Sequence, residues 1–92
     1  MPHHHFKNEE KIKRFNRIIG QLNGIKEMIE KGRDCPEILL QISSVRAALA
    51  KIGLMMTEDH LDHCITTSFQ KGKGKGKESV ASLTEALKQM LK

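Results

Sequence analysis

Cys35, His60 and Cys64 are the residues of this chain with the plainest capacity for chemistry. His60 and Cys64 stand four apart, so on a helix both side chains leave one face within reach of a single ion. His63 follows His60 by three residues and flanks the pair. Two thiolates with one imidazole form a soft donor set that suits Cu(I), which accepts three ligands, whereas structural Zn(II) usually takes four. Zn(II), Ni(II) or Co(II) enter if His63 or the N-terminal His3, His4 and His5 complete a larger shell. Those three histidines can equally form a terminus that binds nothing. Met55 and Met56 fit a core better than a copper site.

Helices must position these donors. From Glu10 to Ile29 the apolar residues Ile12, Phe15, Ile18, Ile19, Leu22, Ile25, Met28 and Ile29 recur every three or four positions. That is one face of an amphipathic helix, expected over about 7–31. Gly20 and Gly24 inside it predict a close helix contact along their side, and Gly32 ends the stretch. Asp34-Cys35-Pro36 reads as the next helix start, because proline is tolerated in a first turn. This second helix, over about 35–69, carries Ile38, Leu39, Ile42, Val45, Leu49, Ile52, Met55 and Met56. Residues 71–77 alternate Lys and Gly and read as a flexible basic linker. Ser79 then caps a third helix over about 78–91. The expectation is an all-α chain with three helices, no strand and a single domain over 1–92.

A continuous second helix would be on the order of 50 Å long at about 1.5 Å per residue. A compact monomer of this size has a radius of gyration of about 12–13 Å, so such a helix calls for a partner. Cys35 would lie roughly 37 Å along the axis from His60 and could share an ion with it only across chains. Two copies packed antiparallel about Ala48 and Leu49, inside the small-residue run Ala47-Ala48-Leu49-Ala50, would solve this. Cys35 of one protomer then meets His60 and Cys64 of the other, giving two equivalent sites per homodimer.

The formal charge of the 92 residues is +5, unevenly spread. Residues 1–33 carry eight basic and four acidic side chains, residues 34–70 two and five, and residues 71–92 six and two. A basic start, an acidic middle and a basic end suit a polyanion on one surface and a cation in the middle. Lys13, Arg14 and Arg17 lie along the first helix as phosphate-positioning candidates, although no named DNA-reading motif is present. An enzyme is not expected: there is no nucleophile with a base, no paired carboxylates, and the Gly-Lys repeat lacks the Gly-Lys-Ser/Thr ending of a phosphate loop. Two cysteines are too few for a disulfide scaffold. No unbroken apolar run approaches the roughly 18 residues of a membrane span, and no signal peptide opens the chain. A cytoplasmic protein with no membrane partner is therefore expected.

The segment Arg14-Phe15-Asn16-Arg17-Ile18-Ile19-Gly20-Gln21, with Gly24-Ile25, Met28-Ile29-Glu30, Cys35, Gln41-Ile42-Ser43-Ser44-Val45-Arg46-Ala47-Ala48, His60-Leu61 and Cys64, resembles the copper-sensing CsoR/RcnR/FrmR repressor family. The similarity runs over about residues 7–91. It implies a three-helix protomer, an antiparallel dimer and a disc-shaped homotetramer that represses operator double-stranded DNA until an effector releases it. It adds Gln21 and Arg46 to the DNA-facing set. Cys35, His60 and Cys64 match the Cys-His-Cys pattern of the copper sensors.

Nickel and cobalt sensors of the family place His where Cys64 stands and use a histidine near the N-terminus, for which His3 is the candidate. Formaldehyde sensors use an N-terminal proline and the equivalent of Cys35, here Pro2 and Cys35. Persulfide sensors lack the histidine ligand, which His60 opposes. The resemblance also departs in one place. Asp34 stands where copper sensors often have Tyr, and Glu78 and Glu85 both compete for the acidic outer position from the third helix. Without DNA contact, the same three ligands would serve a metal-storage protein.

Overall fold

The computed structural model describes the backbone of residues 5–71 and 73–92 and the side chains of residues 8–62, 78 and 80–92. Three helices follow one another: α1 His5–Glu30, α2 Cys35–Lys71 and α3 Lys73–Leu91. Among the described residues there is no strand. The chain divides into two units, one ending at Ile52 and one starting at Gly53, and α2 is a single helix across that boundary.

In the first unit the buried apolar side chains are Ile18 and Ile25 on α1 and Val45 and Ile52 on α2, with Ile38 and Ala48 packed against them. Each pair is seven residues apart, close to two helical turns, so each helix contributes one narrow stripe. The two pairs stand symmetrically about Cys35 in the chain, as antiparallel neighbours joined by a short turn must. Most of the periodic apolar set lies outside this seam: Ile12, Ile19, Leu22 and Ile29 on α1, and Leu39, Leu40 and Ile42 on α2, are exposed. Lys11 is buried, although its place on a charged stretch of sequence reads as solvated.

The turn from α1 to α2 is fixed by its own hydrogen bonds. Gly32 has φ of 71°, a left-handed conformation that costs a residue with a Cβ about 1–2 kcal/mol. Its N–H donates to the Ile29 carbonyl at 3.1 Å and the Arg33 N–H donates to the Met28 carbonyl at 2.9 Å. These two bonds form a Schellman stop, which satisfies carbonyls that the helix end would otherwise leave open. Asp34 then caps α2, its carbonyl accepting the Ile38 N–H at 3.2 Å. The Glu37 carboxylate accepts the Asp34 N–H, the return half of a capping box.

Two expectations are corrected. The third helix starts at Lys73 rather than near Ser79, so residues 73–77 are helical and not a linker, and Ser79 lies inside the helix instead of capping it. Lysine is a good helix former. Extension of a formed helix gains a hydrogen bond per residue, which offsets about 1 kcal/mol for each of Gly74 and Gly76. Among the described residues no close helix contact is made at Gly20 or Gly24: a Cβ built on either meets nothing within 4 Å. An 18-residue window within Cys35–Asp62 of α2 reaches a mean hydropathy of 1.5, long and apolar enough to cross a membrane by length and composition, a test that the core helix of a soluble protein also passes. Polar residues such as Gln41, Ser43, Ser44 and Arg46 interrupt the apolar run without bringing its average down, so a search for unbroken runs passes over it.

Candidate metal centre

Cys35 is the first residue of α2, exposed and not in a disulfide. The Schellman stop and the Asp34 cap fix the backbone that leads into it, which puts the thiol at the accessible head of α2. Arg33 donates from Nε to Glu37 Oε2 at 3.2 Å and from Nη2 to Glu37 Oε1 at 2.9 Å. That two-point bond, then the guanidinium charge, holds the Glu37 carboxyl below its ordinary range, with the Asp34 N–H acting in the same direction. Glu37 in turn raises the Arg33 guanidinium above its ordinary value.

His60 belongs to the second unit. It is exposed and lines a cavity of about 470 Å³ with Glu78, Ser82 and Leu83 of α3. Of the two acidic candidates on α3, Glu78 is therefore the one that shares a cavity with the imidazole. Sequence reasoning left Glu78 and Glu85 equal because a linker was read where helix exists, and the register of α3 was lost with it. Ser82 and Leu83 are not among the expected site residues, because only the packing of α3 beside His60 brings them to this cavity.

Cys64 and His63 lie on α2, but their side chains are outside the described residues, as are Pro2, His3 and His4 altogether. Among the described residues, no group of three His, Cys, Asp or Glu is placed to hold a metal ion within the chain. The donor chemistry itself fits a soft ion: one exposed thiol, and one exposed imidazole with a carboxylate in the same cavity to take up its second ring nitrogen.

The residues expected to face DNA all lie in the first unit. Lys13 and Arg17 are exposed, Arg14 is half-buried, Gln21 is half-buried and Arg46 is exposed on α2. Arg14, Arg17 and Gln21 follow at spacings of three and four, one stripe of α1. Arg14 Nε donates to Glu10 Oε2 at 3.1 Å, a surface ion pair. Gln21 lines a second cavity, of about 360 Å³, together with Gly24, Met28, Lys31, Arg33 and Gln41.

Residues 7–89 match the profile of the family described as metal-sensitive transcriptional repressor. The chain is 38% identical over 79 residues to the copper-sensing transcriptional repressor CsoR of Bacillus subtilis, covering 86% of this chain and 76% of that protein. It is 34% identical over 80 residues to the copper-sensing transcriptional repressor RicR of Mycobacterium tuberculosis, covering 87% and 83%. Among solved structures, the copper-sensing repressor CsoR with Cu(I) from Geobacillus thermodenitrificans superimposes with a TM-score of 0.84 at 36% identity over 100% of this chain and 94% of that one. The nickel-responsive transcriptional regulator InrS superimposes with a TM-score of 0.75 at 34% identity over 89% and 90%. The chain thus belongs to the metal-sensitive transcriptional repressor family that includes CsoR, and is a metal-sensing regulator of transcription rather than an enzyme.

Proposed function

We propose that this repressor senses Cu(I), held between protomers by Cys35 of one and by His60 and Cys64 of the other, and leaves its operator when it does so. The observation that carries the reading is the uninterrupted helix α2, which bears all three donors and opens on the exposed thiol of Cys35. The similarity to a copper-sensing repressor solved with Cu(I) supports the choice of ion. Bound there, the ion supplies two soft bonds to sulfur and one to nitrogen that tie two protomers together.

The chain's own residues do the rest. Glu78 orients the His60 imidazole from α3, and Arg14, Arg17, Lys13, Gln21 and Arg46 hold operator phosphates and read its shape. The exposed apolar residues of α1 and α2 build an antiparallel homodimer and a homotetramer, which is where the apolar surface of α2 goes instead of into a bilayer. A protein of this kind works in the cytoplasm, where the operator is.

The nickel-responsive neighbour supports a second reading, in which Ni(II) or Co(II) is bound with help from His3. Anaerobic titration of the protein–operator complex with Cu(I), Ni(II), Co(II), Zn(II) and formaldehyde decides between them. Release by Cu(I) at the lowest free concentration is expected. Release by Ni(II) or Co(II) alone would move the assignment to His3, and release by formaldehyde alone would move it to Pro2 and Cys35.

A further inference from the structure

Gly53 on α2 and Met90 on α3 belong to the second unit and meet closely. A Cβ built on Gly53 would overlap the Met90 sulfur and lie 2.7 Å from its methyl carbon. The flexible end of the Met90 side chain, which is 42% exposed, therefore occupies the space that any other residue at position 53 would fill. The Gly53 carbonyl accepts the Thr57 hydroxyl at 2.8 Å, a bond that bends helices locally.

The spacing links this contact to the cavity at His60. His60 is seven residues after Gly53 on α2, and Leu83 is seven residues before Met90 on α3. Seven residues are close to two turns, so each helix presents both members of its pair on one stripe. The Gly53–Met90 contact and the cavity lined by His60, Glu78, Ser82 and Leu83 are thus two stations along one antiparallel seam.

We infer that Gly53 and Met90 are positioning residues: a methionine seated on a glycine fixes the axial register of α3 and thereby holds Glu78, Ser82 and Leu83 beside His60. A slide of α3 by one turn would carry Glu78 about 5.4 Å along the helix and unseat the sulfur at the same time. The inference deepens the proposed sensing role and rests on it for its link to DNA release, but the seat itself exists without any ion.

Two arms test it. In the metal-free protein, the rate at which diethylpyrocarbonate modifies the exposed His60, read by mass spectrometry, reports how closely α3 packs beside the imidazole. Gly53→Ala and Met90→Ala should each raise that rate severalfold with far-UV circular dichroism unchanged. Gly53→Ala should add nothing once Met90 is Ala, because the added methyl then has no sulfur to displace. The sign discriminates, since a purely helical role predicts that Gly53→Ala strengthens α2 and leaves the His60 rate unchanged.

In the second arm, each single variant should reduce the factor by which Cu(I) weakens operator binding by about fivefold or more. An unchanged His60 rate in both single variants overturns the inference, as does an equal effect of Gly53→Ala with and without Met90. Raised His60 reactivity with an intact copper response would also overturn it, by showing that the register is not used. Failure of Cu(I) to release the wild-type complex would instead sink the copper reading, and the metal-free arm would still decide whether the seat holds α3.

Discussion

Arg33 and Glu37 clasp the turn that delivers Cys35, through hydrogen bonds of 2.9 and 3.2 Å between one guanidinium and one carboxylate. Both groups are solvent-exposed, so screening keeps the pair weak in salt, and its value is geometric: it ties the residue after the Schellman stop to the third residue of α2.

A pH dependence follows. The folded-state Glu37 carboxyl titrates below its ordinary value, so its contribution is complete above the unfolded carboxylate range and is lost as pH falls through the lowered value. Arg33 stays charged throughout. Thermal melts between neutral and acid pH should show Glu37→Gln less stable than wild type at neutral pH, with the gap closing in acid and in high salt.

Cys35→Ala should bind operator DNA as tightly as wild type and lose the release by Cu(I). A mobility-shift titration with and without Cu(I) measures both. The reciprocal also holds: operator DNA should weaken Cu(I) binding to wild type by the same factor by which Cu(I) weakens DNA binding.

Gly32→Ala should destabilise the fold by about 1–2 kcal/mol, because φ of 71° admits a Cβ only at that cost. Gly24→Ala, which meets open space in an ordinary helix, should leave the single chain equal or more stable by up to about 1 kcal/mol. Urea denaturation of the two variants separates them.

Ile52 is 1% exposed and the largest fully buried side chain described. Ile52→Val should cost about 0.5–1.5 kcal/mol and Ile52→Ala about 2–5 kcal/mol in urea denaturation.

Leu49 is 43% exposed on α2 and lies at the centre of the proposed antiparallel pair. Leu49→Glu should lower the sedimentation-derived mass from tetramer or dimer toward monomer at micromolar concentration. An unchanged mass would place the interface elsewhere.

Much of this was legible in the chain itself. Periodic apolar residues announce α1 and α2, Gly32 marks the stop, and Pro36 behind Asp34 marks the start, since each acts through local backbone chemistry. The ligand candidates were legible as residue types and spacings. What periodicity could not separate was which apolar residues pack within the chain: Ile18 and Ile19 look alike in sequence, yet Ile18 is buried and Ile19 is exposed. The start of α3 was hidden because glycine content argues for a loop while an adjoining helix extends across it. The sharing of one cavity by His60 and Glu78 depends on that register, and the Gly53–Met90 contact joins residues 37 positions apart, which no local pattern encodes.

Four buried aliphatic side chains form the core described in the first unit. A core that small leaves the folding equilibrium of the proposed assembly tied to how many copies are present. In the proposed assembly dilution would act on this repressor as a denaturant, and its melting temperature would rise with protein concentration. A cell that lets the repressor run low would lose folded protein along with operator occupancy, giving the response a threshold in copy number that the affinity for DNA alone does not set.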